Sequence, residues 1–129
     1  MNRHSQTIRM VLCLSVGFLL ATAALPGQDP LQVAHNNTKL LLENDRVRVF
    51  EFRAKPGERE PQHSHPAHVV YVVKGGKARF TMPDGSSVER DLQAGQAVWN
   101  DAVTHTVDVI GTSDVHVIAV ELKSPAAKK

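Results

Sequence analysis

Apolar and polar positions alternate along most of the chain after residue 37, and turn residues interrupt the alternation at short intervals. Residues 47–53 read Val-Arg-Val-Phe-Glu-Phe-Arg, and residues 115–122 repeat the same period of two. Residues 69–73 form a continuous apolar run. Runs of this length between turns such as Pro83-Asp84-Gly85 predict roughly eight or nine strands, and no later stretch has helical periodicity. The pattern predicts an all-β sandwich or barrel, in which the run at 69–73 is covered on both faces.

The N-terminal residues differ from the rest of the chain. Two arginines and no acidic residue lie within the first nine positions, an apolar stretch follows, and Ala21-Thr22-Ala23 offers a small-residue cleavage site. This order is typical of a secretory signal peptide. The alternative is an uncleaved membrane anchor, but the apolar stretch at 10–25 is short for a bilayer span. We expect residues 1–23 to be a cleaved helical signal segment and the mature protein to be periplasmic or secreted, without stable membrane association.

The remaining chain is long enough for one domain. Residues 24–37 are polar and turn-rich and predict a lead-in linker, residues 38–122 hold the strands, and residues 123–129 predict a disordered tail. Removal of residues 1–23 would leave thirteen basic and thirteen acidic side chains without a basic cluster, so nucleic acid is not an expected partner. The one cysteine, Cys13, lies in the expected signal segment, so the exported domain would have no disulfide and would depend on its apolar core.

Histidine is the residue type that suggests chemistry. The stretch Gln62-His63-Ser64-His65-Pro66-Ala67-His68 contains three of the seven histidines. Residues two positions apart on a strand point to the same face, so His63 and His65 can direct both imidazoles to one point. Neutral imidazoles suit Fe, Mn, Ni, Cu or Zn better than Ca or Mg. The spacing alone is a weak motif, because two surface histidines reach it by chance. His116 alternates with apolar residues and is expected to be a hydrogen-bonded core histidine.

The glycines around the histidine pair resemble the first motif of the cupin superfamily. Five residues separate Gly57 from His63-Ser64-His65, an apolar strand follows, and Gly75-Gly76 ends it. The second cupin motif, a Gly-led strand before a single histidine, is similar to the stretch from Gly95 to His105. The resemblance covers nearly all of the expected mature chain. It implies a single-domain double-stranded β-helix, the cupin jelly-roll barrel, with a divalent transition metal held by His63, His65 and His105.

One ligand of the cupin motif does not carry over. The motif places a glutamate after the histidine pair. Counted forward from His65 this position is Val69, and counted backward from Gly75 it is His68. The period of two turns His68 away from the face of His65, unless Pro66-Ala67 makes a bulge. His68 is therefore either a fourth ligand or an exposed histidine at the start of a strand. Without the glutamate, the ion would keep its full charge and favour anionic ligands.

Three functions are compatible with this pattern. The first is a metal-dependent oxidoreductase, a small-molecule oxygenase of dioxygenase type. The second is a barrel that binds a small ligand or a metal ion without turnover, and the third is a structural cupin without metal. No Asp or Glu can be placed inside the barrel from the sequence, which favours redox chemistry or binding over proton transfer. The resemblance also implies a homodimer.

Overall fold

The computed structural model of the protein describes residues 28–124. The elements in chain order are α1 Pro30–Val33, β1 Thr38–Glu43, β2 Val47–Ala54, β3 Arg59–His65, β4 His68–Lys74, β5 Lys77–Thr81, β6 Ser87–Asp91, β7 Ala97–Asn100, β8 Val103–Val109 and β9 Val115–Leu122. The predicted all-β fold is confirmed. Within the described range, none of the helical structure has the length and apolarity that a membrane crossing requires. The expected signal peptide and the last five residues of the expected tail lie outside the described residues.

The strands form two antiparallel sheets around a shared apolar core. One sheet has five strands in the order β1-β2-β9-β4-β7, and the other has four in the order β3-β8-β5-β6. The period of two along β2 buries Phe50 and Phe52 and leaves Arg53 exposed. Side chains from both sheets meet in the buried cluster Phe52, Ala54, Val72, Val109, Val115 and Val117. This pair of sheets is the jelly-roll arrangement that the sequence motifs imply.

The segment before β1 lies against the four-stranded sheet. Asp29 caps α1, and the backbone N–H of Ser64 donates to the carbonyl oxygen of Gln28 at 2.9 Å. The segment that the sequence predicts as a lead-in linker thus contains one helical turn, which contacts β3. This contact matters for the site because β3 carries His63 and His65.

β4 is covered on one face only, so the prediction of a strand covered on both faces is wrong. Val72 is fully buried, whereas Tyr71 and Val73 are 47% and 43% exposed. Trp99 on the neighbouring strand β7 pairs with Val69 and is 55% exposed. The outer side of β4 therefore exposes apolar side chains to solvent, and no described element packs over it.

Candidate metal centre

Three of the predicted histidines meet in the interior. His63 on β3 and His105 on β8 are direct cross-strand partners and are 1% and 7% exposed. Their ring centroids are 4.8 Å apart. The ring of His65, which follows two residues after His63, has its centroid 4.6 Å from that of His63 and 5.3 Å from that of His105. Each residue can offer one ring nitrogen so that the three nitrogens lie within 4.8 Å of one another.

A backbone contact determines which ring nitrogen of His63 is free. Its Nδ1 atom lies 2.7 Å from the carbonyl oxygen of Pro61. Because a carbonyl oxygen can only accept a hydrogen bond, Nδ1 carries the proton and Nε2 keeps its lone pair. This Nε2 atom is buried and has no hydrogen-bond partner among the described residues. A buried acceptor without a partner, in a group of three imidazoles, fits a ligand of a transition metal.

His65 is oriented by a buried network of charged groups. Its Nδ1 atom donates to Oε1 of Glu121 at 2.7 Å, and Glu121 is 2% exposed. The other oxygen of Glu121 accepts from Nη2 of Arg48 at 2.7 Å, and Nη1 of Arg48 lies 2.6 Å from Asp29. Burial raises the pKa of Glu121, but hydrogen bonds from His65 and Arg48 outweigh it and hold the pKa below its usual range. Glu121 therefore stays a carboxylate, keeps the proton of His65 on Nδ1 and leaves Nε2 free.

Burial keeps the imidazoles in the form that binds metal ions. Desolvation is the main cause that lowers the pKa of His63 to about 4 and the pKa of His105 to about 3. The pKa of His68 is lowered for the same reason. Metal ions bind neutral imidazole, so burial reduces the competition of protons for the rings of His63, His68 and His105.

His65, His68 and His105 border a cavity between the two sheets. Its volume is about 670 Å³, a size typical of sites for small molecules. Residues of the edge strands β6 and β7 contribute to its lining. Its walls include the apolar side chains of Phe80, Met82, Val88 and Val98. An apolar molecule that enters this cavity would reach the imidazoles of His65, His68 and His105.

Comparison with known proteins assigns the fold to a family. The sequence model of the family described as "Cupin domain" matches residues 50–121, more than half of the chain. The protein belongs to the cupin family. No curated protein sequence matches the chain.

Solved structures agree with this assignment. A cupin domain from Bordetella pertussis Tohama I is 25% identical, with a TM-score of 0.62, and the match covers 79% of this chain and 99% of that chain. An RmlC-like cupin from Methanocaldococcus jannaschii, with a double-stranded β-helix fold, is 17% identical over 66% of this chain and 77% of that chain (TM-score 0.54). The polyketide cyclase RemF from Streptomyces resistomycificus is 23% identical over 66% and 63% of the two chains (TM-score 0.50). The last two show the fold alone.

His68 faces the interior of the cupin barrel. It is 3% exposed, and its ring centroid lies 4.7 Å from that of His65. Its Nδ1 atom donates to the carbonyl oxygen of Pro66 at 2.8 Å, which leaves Nε2 free. The period-two argument that turned His68 away fails because β3 ends at His65 and β4 begins at His68 in the other sheet. The position reached by counting the cupin motif backward from Gly75 is therefore occupied by a side chain that points inward. His68 nevertheless lies beside the group of three nitrogens and not within it.

Two buried glutamates lie beside the cupin histidines, although the sequence placed no acidic residue inside the barrel. One is Glu121, and the other is Glu60 on β3, which is 6% exposed and lines the cavity. Glu60 pairs with Val107 and His63 pairs with His105, so the register shifts between these two residues of β3. Such a bulge allows Glu60 and His63, three positions apart, to point to the same side. Pro61, a proline within a strand, is the sequence signal that could have revealed the bulge.

The carboxyl group of Glu60 is close to the unpaired nitrogen of His63. Oε1 of Glu60 lies 3.7 Å from Nε2 of His63. Burial raises the pKa of Glu60 to about 8 and lowers the pKa of His63 to about 4. In the metal-free protein at pH 7, both groups are therefore neutral and do not form an ion pair.

His116 lies outside this site. Its Nε2 atom is 3.1 Å from Oε2 of Glu51. The residue is hydrogen-bonded as expected, but it pairs with Arg53 on the outer face of the five-stranded sheet and is not part of the core.

Proposed function

We propose that this cupin is a metal-dependent oxidoreductase, an oxygenase that acts on a small molecule held between its two sheets. The observation that carries the proposal is the group of three buried imidazoles, His63, His65 and His105, beside a cavity of about 670 Å³. Three nitrogen ligands suit a divalent Fe, Mn, Ni, Cu or Zn ion and leave coordination positions open. When bound, a redox-active ion would supply the chemistry with O₂.

The residues of the chain would position the ion and the bound molecule. Pro61 and Glu121 accept the Nδ1–H groups of His63 and His65, so both rings enter the site already oriented. The apolar side chains of Phe80, Met82 and Val88 would hold an apolar body and exclude water from the reacting end. The preferred substrate is therefore a small molecule with an apolar skeleton and a polar group directed at the histidines. His68, with its free Nε2, forms part of the same wall, and its role as a ligand stays a prediction.

Metal analysis of the mature protein, purified without an affinity tag, tests the first half of this proposal. We expect one transition-metal ion per chain in the wild type and none in His63→Ala or His105→Ala. The matched control is His116→Ala, because His116 lies on the outer face and should leave the metal content unchanged. A wild-type protein that contains no metal and cannot be loaded would overturn the proposal.

Oxygen consumption tests the second half. The metal-loaded protein is mixed with a panel of small aromatic and aliphatic compounds, and dissolved O₂ is followed with an electrode. Consumption that depends on a compound and disappears in His105→Ala supports an oxygenase. Tight binding of a compound without O₂ consumption would assign the chain instead to the second class, a binding barrel without turnover.

We also propose that the protein is exported. The proposal rests on the basic start, the apolar stretch and the small-residue site Ala21-Thr22-Ala23, together with the lack of cysteine after Cys13. Intact mass spectrometry of the protein recovered from a periplasmic or culture fraction should give a chain that begins at Ala24. Recovery of the full-length chain in the cytoplasm would contradict it. Homodimerisation stays a prediction, and light scattering of the mature protein tests it.

A further inference from the structure

The carboxyl group of Glu60 needs a partner that the described residues do not provide. Glu60 is 6% exposed and borders the cavity, and burial raises the pKa of its carboxyl group. A buried carboxyl group without a hydrogen-bond partner is costly in free energy. Nε2 of His63, 3.7 Å from Oε1 of Glu60, is a buried atom without a hydrogen-bond partner among the described residues. Two unpaired groups that face each other indicate that one ligand binds both.

The length of this gap suits a metal ion better than a water molecule. Metal–nitrogen and metal–oxygen bonds of about 2.1 Å that meet at the tetrahedral angle of roughly 109° join atoms about 3.4 Å apart, close to the observed separation of 3.7 Å. A water molecule that made hydrogen bonds of about 2.8 Å to both atoms would need an angle of roughly 80° between them. The observed 3.7 Å therefore matches two ligands of one ion. Glu60, like His68, lies beside the group of three nitrogens and not within it, and it contacts that group through His63.

The β-bulge explains how this carboxylate reaches the site. The register shift between Glu60 and His63 brings both residues to the interior, where His63 faces His105 across the strand pair. Pro61 lies inside the bulge, and its carbonyl oxygen accepts the Nδ1–H of His63. One short segment thus directs a carboxyl group and an imidazole nitrogen to the same point.

We propose that Glu60 is a direct ligand of the metal ion at the histidine cluster and supplies the carboxylate that is absent after His65. This inference rests on the proposed function, because it needs the ion. With Glu60 bound, the centre consists of three imidazoles and one carboxylate, and a divalent ion there has a net charge of 1+ and not 2+. The preference for anionic ligands that follows from three neutral imidazoles alone would be reduced accordingly.

Titration with Co²⁺ tests the assignment, because the visible absorption of bound Co²⁺ depends on the identity and number of its ligands. The test variant is Glu60→Gln, which keeps the size of the side chain and removes its charge. Glu89→Gln is the matched control, since Glu89 is an exposed carboxylate on β6 that pairs with Arg79. His68→Ala is the competing variant for the fourth ligand. Circular dichroism of each metal-free variant checks that it is folded.

We expect the wild type to bind one Co²⁺ per chain, and Glu60→Gln to bind it at least tenfold more weakly, with shifted absorption bands. Glu60→Asp, which retains a shorter carboxylate, should recover part of the affinity. Glu89→Gln should match the wild type in both affinity and spectrum. Wild-type affinity and spectrum in Glu60→Gln would overturn this inference and leave the proposed function intact. A wild-type protein that binds no Co²⁺ would overturn both.

Discussion

The Nδ1 atom of His65 donates a hydrogen bond to Oε1 of Glu121 across 2.7 Å, although the two residues are 56 positions apart in the chain. His65 ends β3 in the four-stranded sheet, and Glu121 lies on β9 in the five-stranded sheet. The same carboxylate binds Arg48 on β2. One buried side chain therefore joins the two sheets and orients a residue of the candidate metal centre.

Replacement of Glu121 should weaken both the metal centre and the fold. Glu121→Gln keeps an oxygen acceptor for His65 but removes the charge that Arg48 binds. Because partners of this kind contribute to affinity through orientation, we expect metal binding to weaken about 10- to 100-fold. The loss of charged hydrogen bonds should lower the free energy of unfolding by about 1.5–3 kcal/mol. Calorimetric titration with metal and urea unfolding measure the two effects.

The control for this change is Glu43→Gln. Glu43 is an exposed residue whose carboxylate binds Lys123 at 2.6 Å, away from the histidines. Exposed ion pairs of this kind contribute little, so both affinity and stability should stay close to the wild type. Equal losses in the two variants would contradict the role assigned to Glu121.

His105 and His68 should respond differently to truncation. His105→Ala removes one of the three nitrogens that lie within 4.8 Å of one another, so we expect stoichiometric metal binding to be lost. His68 lies against His65 and outside the group of three nitrogens, so His68→Ala should retain one ion per chain. Metal content after dialysis, measured by plasma mass spectrometry, distinguishes the two. Loss of the ion in His68→Ala would instead make His68 a ligand.

The contacts that the sequence predicts best are those governed by the period of two within one strand. His63 and His65 share a face for this reason, and in the structure the period of two along β2 buries Phe50 and Phe52 and exposes Arg53. The rule fails where a strand is irregular or ends. The bulge at Pro61 turns Glu60 inward, and the change of sheet after His65 turns His68 inward. Both deviations depend on pairing with distant strands, which local alternation cannot report.

The prediction that the apolar run in β4 is covered on both faces failed for a different reason. Val72 is buried, but Tyr71 and Val73 on the opposite face remain exposed. An apolar composition shows that a surface avoids water, yet it does not show what covers that surface. Glu121 could not be assigned to the site either, because its contact with His65 depends on how the two sheets pack.

Gly75 should tolerate no side chain. A Cβ atom at this position would lie 2.0 Å from the carbonyl oxygen of Leu92, which is backbone and cannot rotate away. We expect Gly75→Ala to lower the free energy of unfolding by about 2–3 kcal/mol through overpacking. Urea unfolding followed by tryptophan fluorescence measures it.

Gly57 provides the comparison for this substitution. It has a φ of +82° but nothing within 4 Å of an added Cβ atom. Gly57→Ala should therefore cost only the backbone strain of about 1–2 kcal/mol. If Gly75→Ala is as stable as the wild type, the close approach of Leu92 is not a constraint.

Glu60 should make the metal-free protein less stable as the pH rises. Burial raises its pKa from 4.5 to about 8, so between these values the unfolded chain has lost the proton of Glu60 while the folded chain retains it. The folded state then binds more protons than the unfolded state, so this group lowers stability by up to about 1.4 kcal/mol per pH unit in that window. This loss of stability is complete above the folded-state pKa of about 8, and it is absent below pH 4.5.

Glu60→Gln removes this titration, and urea unfolding of the metal-free protein at pH 5 and pH 8 measures the consequence. The stability of the variant relative to the wild type should increase by about 3–4 kcal/mol between the two pH values. The free energy of unfolding of Glu89→Gln should differ from that of the wild type by the same amount at pH 5 and pH 8, because a hydrogen bond from Arg79 holds the pKa of Glu89 below its usual range. Parallel pH dependences of the wild type and Glu60→Gln would show that the Glu60 carboxyl group is not buried without a partner.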